Sequence, residues 1–157
     1  MKDKAEVEAE AEAEANFTTR NVYTDWITDN IRYCDLDPNG HVNNGAINAF
    51  FEDGRVQFRM DRMEHYSEDI LTGFVLVKFS VEYLKALNYP GSIDVGTLVS
   101  NIGRTSYLLK QGLFRDEECI AIAEVVTVCF NKETEKAELI DDDLRGILEK
   151  AQKIITL

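Results

Sequence analysis

Arg32-Tyr33-Cys34-Asp35-Leu36-Asp37-Pro38-Asn39-Gly40-His41-Val42-Asn43-Asn44 reads as the end of a strand, a tight turn and the polar start of a helix. Asp37-Pro38-Asn39-Gly40 suits a β-turn: Asp accepts backbone N–H bonds at the first position, Pro sets φ at the second and Gly closes it. Asn43 and Asn44 precede a helical pattern, and Asn is a favoured N-cap. An acid, a histidine and two amides therefore converge where a helix offers unpaired N–H groups and a partial positive charge. A core needs none of these groups. The stretch is a candidate site that can bind and polarise a carbonyl oxygen.

Downstream, Gly45 to about Glu64 is expected to form one helix, with Ile47, Phe50, Phe51, Gly54 and Phe58 on a buried stripe. From Phe74 to Asn131 the pattern changes to period two. Strands are expected over Phe74–Leu87, Ser92–Ile102, Thr105–Phe114 and Cys119–Asn131, with Val75, Val77, Phe79, Val81 and Tyr83 on one face of the first. Their short connections make them antiparallel neighbours. Leu139–Ile140 is a candidate short strand, and Asp141-Asp142-Asp143 precedes a C-terminal helix from Leu144 to about Ile154, with acids at its positive end.

Upstream, Phe17 to Cys34 reads as an extended lead-in and a first strand. Lys2 to Ala15 is an Ala/Glu alternation that spreads charge all round any helix, so residues 1–16 are expected to be a disordered acidic tail and 17–157 one domain. The net charge of −12 argues against nucleic acid as a partner. No apolar run approaches the ~20 residues of a membrane span, and no secretory signal is visible, so a cytoplasmic location is expected. Cys34, Cys119 and Cys129 make no CxxC pair and read as reduced core thiols; with two histidines, no metal site is expected.

The order is strand, long helix, four long strands, short helix. The sheet has one face to bury and the apolar helix needs cover, so the sheet should wrap the helix in an α+β arrangement. Its exposed edges call for a second copy, a homodimer or a higher assembly.

Motif and element order together resemble the hotdog-fold thioesterases of the 4-hydroxybenzoyl-CoA thioesterase type, over about residues 22–150. The resemblance is carried by Tyr33-x-Asp35-x-Asp37-x-x-Gly40-His41-Val42-Asn43-Asn44, by Phe50-Phe51-Glu52-x-x-Arg55 and by Ile102-Gly103-Arg104-Thr105-Ser106. It implies an antiparallel five- to six-stranded sheet wrapped around one long helix, a short C-terminal helix, and hydrolysis of an acyl-CoA thioester as in fatty-acid metabolism. It also implies a homodimer or dimer of dimers (a homotetramer) with the site between subunits. Asp37 falls on the family's nucleophile or general base, and one carboxylate suffices because thiolate leaves readily; no cofactor is needed. Asn44 stands where some members carry histidine or tyrosine, so base work falls on Asp37. Gly40-His41-Val42-Asn43-Asn44 is also similar to the fatty-acyl branch that includes plant acyl-carrier-protein thioesterases.

Asp37, Asn44 and His41 are thus the candidate catalytic residues, with amides from Asn44 to Ala46 as an oxyanion site. Asp37 as a plain turn cap is the alternative, and Asp35 is expected to be structural. One of Asn43 and Asn44 caps the helix while the other faces the site. Asn43, Gly45, Glu52, Arg55, Arg104, Thr105 and Ser106 are candidate substrate-binding residues; Arg55, Arg59 and Arg62 share a helical face that suits either solvent or CoA phosphates. Glu52 paired with an arginine is the plain alternative to a site role. Rival functions are an acyl-carrier-protein thioesterase, disfavoured by the acidic surface, a hotdog dehydratase, and an acyl-CoA-binding protein without turnover.

Overall fold

The computed structural model describes residue 3 and residues 17–67 and 70–152. The expected acidic tail lies almost wholly outside them. Its elements are β1 (Asp25–Asn30), α1 (Asn44–Arg62), β2 (Phe74–Tyr83), β3 (Ser92–Ile102), β4 (Ser106–Arg115), β5 (Glu118–Asn131), β6 (Lys136–Ala137) and α2 (Asp142–Lys150). One antiparallel sheet runs β1-β3-β4-β5-β2, with β6 added to β5. It curls around α1, so the expected α+β hotdog arrangement holds. Among the described residues, no helix is long and apolar enough to cross a membrane.

The apolar stripe of α1 decides its seat. Ile47, Phe50 and Phe51 pack with Val95, Leu113 and Ala123, while Phe58 joins Val99, Leu109, Val125 and the α2 residues Leu144 and Leu148. Gly54 lets the helix backbone reach the sheet: a Cβ there would stand 2.7 Å from Val95 Cγ1 and 3.1 Å from Gln111 Nε2. Gly54→Leu is therefore expected to destabilise the fold by about 3 kcal/mol, the upper range for overpacking, read as a lower urea midpoint. An unchanged midpoint would show that α1 can lift off the sheet at no cost.

Several expectations need correction. The first strand stops at Asn30, and Tyr33–Asp35 form a 3-10 turn, so Asp37 is delivered by that turn and not by a strand. Cys34 is consequently exposed, while Cys119 and Cys129 are buried as expected. β2 does not keep one face. A bulge between Leu76 and Lys78 shifts its register, which leaves Phe74, Phe79 and Val81 inward and Val75, Leu76 and Val77 exposed on the sheet edge. Leu139–Ile140 is not a strand. The turn after β5, where Asn131 Oδ1 accepts from Glu133 N and Thr134 N, brings Lys136–Ala137 onto β5 instead. α2 is capped by Asp141, which accepts from Leu144 N at 2.8 Å.

A second apolar cluster, on the convex face, has no counterpart in the sequence reading. Val22 and Tyr23 lie over Leu98, Phe114 and Cys119, with Tyr23 edge-on to both Trp26 and Phe114. The segment before β1 thus covers the outside of the sheet.

Candidate active site

The Asp37 turn forms as its residues dictate. Gly40 N donates to Asp37 O at 3.0 Å, and Gly40 sits at φ +79°, a conformation open to glycine. Asp37 Oδ1 accepts from Asn39 N at 2.8 Å and His41 N at 3.1 Å. Its Oδ2 accepts no hydrogen bond from the described residues. The side chain therefore caps its turn with one oxygen and offers the other, half-buried. The turn is strapped to the chain before β3: Val42 N donates to Leu87 O at 2.8 Å, and His41 bridges to Asn88. The His41 side chain is exposed and makes no hydrogen bond with the described residues.

At the helix start the two asparagines divide the work. Asn43 is the N-cap, its Oδ1 accepting from Gly45 N at 2.6 Å and Ala46 N at 3.2 Å. Gly45 and Ala46 are thereby taken out of the expected oxyanion site. Asn44 is left with its backbone N–H unpartnered and its side chain exposed. Among the described residues, Asp37 Oδ2, the Asn44 N–H and amide, and the His41 ring are the groups that this turn and the start of the nineteen-residue helix leave without hydrogen-bond partners.

Asp35 is structural. It is 4% exposed and held by Arg32 through Nη2 at 2.8 Å, Nε at 3.3 Å and the backbone N–H at 2.8 Å. Burial alone raises its carboxyl, but the Arg32 hydrogen bonds and charge outweigh it and hold the group below the usual carboxylate range. A carboxyl lowered in the folded state stabilises the fold above its unfolded value of about 3.9, and that contribution is lost as pH falls through the folded value. Arg32→Gln is expected to be less stable than the parent in urea at neutral pH, with the gap closing as pH falls through the lowered folded-state value. A gap independent of pH would rule out the ion pair as its source.

The remaining candidates are scattered. Glu52 is 71% exposed, 4.0 Å from Arg55 Nη2. Arg55 is not on a phosphate-binding surface: it is buried, with Nη1 donating to Gln111 Oε1 at 3.3 Å and its guanidinium 5.2 Å from the Phe79 ring. Arg62 is bidentate to Asp25, and Arg59 lies over Phe74. The three arginines thus have three environments along the helix. Arg104 and Thr105 lie in the β3–β4 turn and Ser106 opens β4; the turn is tied to the region before α2 by Ile140 N to Arg104 O at 2.8 Å. The Asp37 turn lies at the other end of β3, ~30 Å away by strand rise. One chain does not bring these two groups together.

Sequence reasoning missed Gln111, the fully buried centre of the helix–sheet contact. It accepts from Arg55 and donates to Phe51 O and Thr97 Oγ1, both at 3.0 Å. The signal was present: a polar residue at the inward parity of Leu109 and Leu113. The Leu87–Asn88 strap left no signal, because it acts through backbone groups alone.

A family model described as the thioesterase-like superfamily matches residues 31–148. No curated protein matches by sequence. A Pseudomonas aeruginosa protein of known structure superposes with a TM-score of 0.75 at 24% identity, over 87% of this chain and 96% of that one. A predicted thioesterase from Bacillus stearothermophilus gives 0.73 at 27% identity, over 82% and 98%. A Thermus thermophilus thioesterase solved with coenzyme A and zinc gives 0.73 at 22%, over 83% and 96%.

Proposed function

Because the chain belongs to the thioesterase-like superfamily, we propose that it hydrolyses an acyl-CoA thioester to the free acid and CoA at the Asp37 turn, as a cytoplasmic enzyme of the 4-hydroxybenzoyl-CoA thioesterase type. The observation that carries this reading is the split use of the Asp37 carboxylate. One oxygen is fixed by two amides, the other accepts no hydrogen bond among the described residues, and seven residues on the Asn44 N–H is also without a partner at the start of α1. A fixed carboxylate next to a hydrogen-bond donor at a helix N-terminus supplies both halves of acyl transfer.

In the general-base form, Asp37 Oδ2 takes a proton from water as its oxygen attacks the thioester carbon. The Asn44 N–H and the helix terminus meet the oxyanion. The C–S bond then breaks, and the thiolate leaves with the proton returned from Asp37. In the nucleophilic form, Oδ2 itself attacks, CoA leaves and water hydrolyses the mixed anhydride. Asn44 and His41 orient the acyl group or the water.

Arg104, Thr105 and Ser106 belong to this site only across a subunit boundary. The exposed Val75, Leu76 and Val77 on the open edge of β2 support such pairing with a second copy. In that dimer, or a dimer of dimers, the exposed Arg104 meets the CoA phosphates of its neighbour's site.

Thiol release measured across acyl-CoAs from acetyl to palmitoyl, with benzoyl esters beside them, tests the reading. Release from any of them supports it. Release from acyl-carrier-protein esters alone would reassign the carrier, and stoichiometric acyl-CoA binding without release would make the protein a binding module.

A further inference from the structure

The seam between α1 and the edge strand β2 holds positive charge that the chain leaves largely unneutralised. The seam starts near the helix N-terminus, where Tyr83 Oη donates to Asn48 Oδ1 at 2.7 Å. It continues through Phe51 against Phe79, with ring centroids 6.1 Å apart, then Arg55 over Phe79 at 5.2 Å and Arg59 over Phe74 at 5.9 Å. Phe74 meets Tyr107 at 6.2 Å. The two arginines stand one helical turn apart. Arg55 has Gln111 and a distant, exposed Glu52; Arg59 has no carboxylate partner among the described residues.

Among the described residues, two buried polar atoms there, Arg59 Nε and Tyr107 Oη, have no partner in full hydrogen-bond geometry, although the Arg59 guanidinium and the Thr127 hydroxyl stand beside the phenol. Tyr107 is 1% exposed, and burial pushes its phenol up to about 12, so it remains a donor at neutral pH. Buried donors without acceptors are rare, and a desolvated cation without a counter-charge is costly. Both defects are cured by one anion. A guanidinium lying over an aromatic ring suits a planar carboxylate, which it can bind with two parallel hydrogen bonds, better than a bulky, strongly hydrated phosphate.

We propose that this seam is a subsite for a carboxylate at the far end of the acyl chain, recognised by Arg59 and Tyr107, so that the preferred substrates are thioesters of dicarboxylic acids. The proposal rests on the placement of the thioester carbonyl at the start of α1. Arg59 lies fifteen residues beyond Asn44. At ~1.5 Å per residue, less about one turn for the N-terminal lean of helical side chains, its guanidinium is ~17 Å from the carbonyl. That is on the order of 14 bonds of extended chain.

The test compares kcat/KM for dicarboxylyl-CoA esters bracketing about 14 bonds with the matching monoacyl esters. The dicarboxylyl ester is expected to be favoured by about tenfold or more, the worth of one charge-assisted hydrogen bond. Arg59→Gln is expected to bring the ratio close to unity. Arg59→Lys, which keeps the charge but not the fork, serves as the folded control with an intermediate ratio. A ratio near unity in the parent protein overturns the subsite and leaves thioester hydrolysis standing. So does a change in oligomeric mass in Arg59→Gln with the ratio unmoved, which would turn the arginines toward a second copy. A second arm needs no turnover: calorimetric binding of free pentadecanedioate, with pentadecanoate and inorganic phosphate as comparisons. Dicarboxylate binding removed by Arg59→Gln supports the subsite even if no ester is hydrolysed. No binding, or phosphate binding equally well, overturns it.

Discussion

Asp37→Asn is expected to lower kcat by about 10²–10⁴, the usual worth of a positioned general base, while leaving the urea midpoint unchanged. The asparagine side chain retains an oxygen able to accept from Asn39 N and His41 N, so the turn that Asp37 caps survives. What is lost is the second oxygen, which can no longer take a proton or attack a carbonyl. Asp37→Ala is the poorer probe, because it strips both amides of their acceptor and would confound loss of chemistry with loss of the turn. Unchanged turnover in Asp37→Asn would reduce Asp37 to a turn residue and remove the centre of the proposed site. With the parent protein, a single turnover in ¹⁸O-labelled water tests for direct attack. Label in the Asp37 carboxylate means direct attack with water entering at the aspartyl carbon, whereas label only in the released acid means that water attacked the acyl carbon, of the thioester or of the anhydride.

Gln111→Leu is expected to destabilise the protein by about 3 kcal/mol, seen as a fall of ~6–12 °C in Tm. Leucine fills the space, so no cavity accounts for the loss. The cost arises because Arg55 loses its acceptor inside the fold and the Thr97 hydroxyl loses its donor. Burial already works against the Arg55 charge, lowering its pKa, and an uncompensated buried cation is among the most damaging defects a core can hold. The double variant Gln111→Leu, Arg55→Met should recover part of the loss, since removing both partners is cheaper than removing one. A Tm within ~1 °C of the parent for Gln111→Leu would show that Arg55 finds water or Glu52 instead.

Much of this architecture is legible in the residues. The stripe from Ile47 to Phe58 and the alternation of β3 to β5 announce themselves because burial on one face imposes a strict period. The turn at Asp37 and the cap at Asn43 are local chemistry, settled within four or five residues, and so they too could be read in advance. Three things could not. The bulge in β2 depends on its pairing with β5, and a run of valines and leucines carries no mark of where its register slips. The convex cluster under Tyr23 is non-local, and its members look like ordinary core. The environments of Arg55, Arg59 and Arg62 differ because a helix surface is divided by what packs on it, which spacing alone does not report. For the candidate site the boundary falls in the same place. The groups delivered by one turn were found together, and those delivered from the opposite end of β3 were grouped with them only by motif.

In the shared site proposed above, that separation would make catalysis a matter of stoichiometry. A centre that uses both the Asp37 turn and the Arg104 turn contains halves of two molecules, so specific activity becomes a function of protein concentration and falls on dilution as pairs come apart. It also makes the two halves genetically separable. A chain crippled at Asp37 and another crippled at Arg104 are each silent alone, yet a mixed pair contains one intact centre beside one doubly broken. Recovery of activity on mixing two dead preparations is the result expected of the proposed shared site.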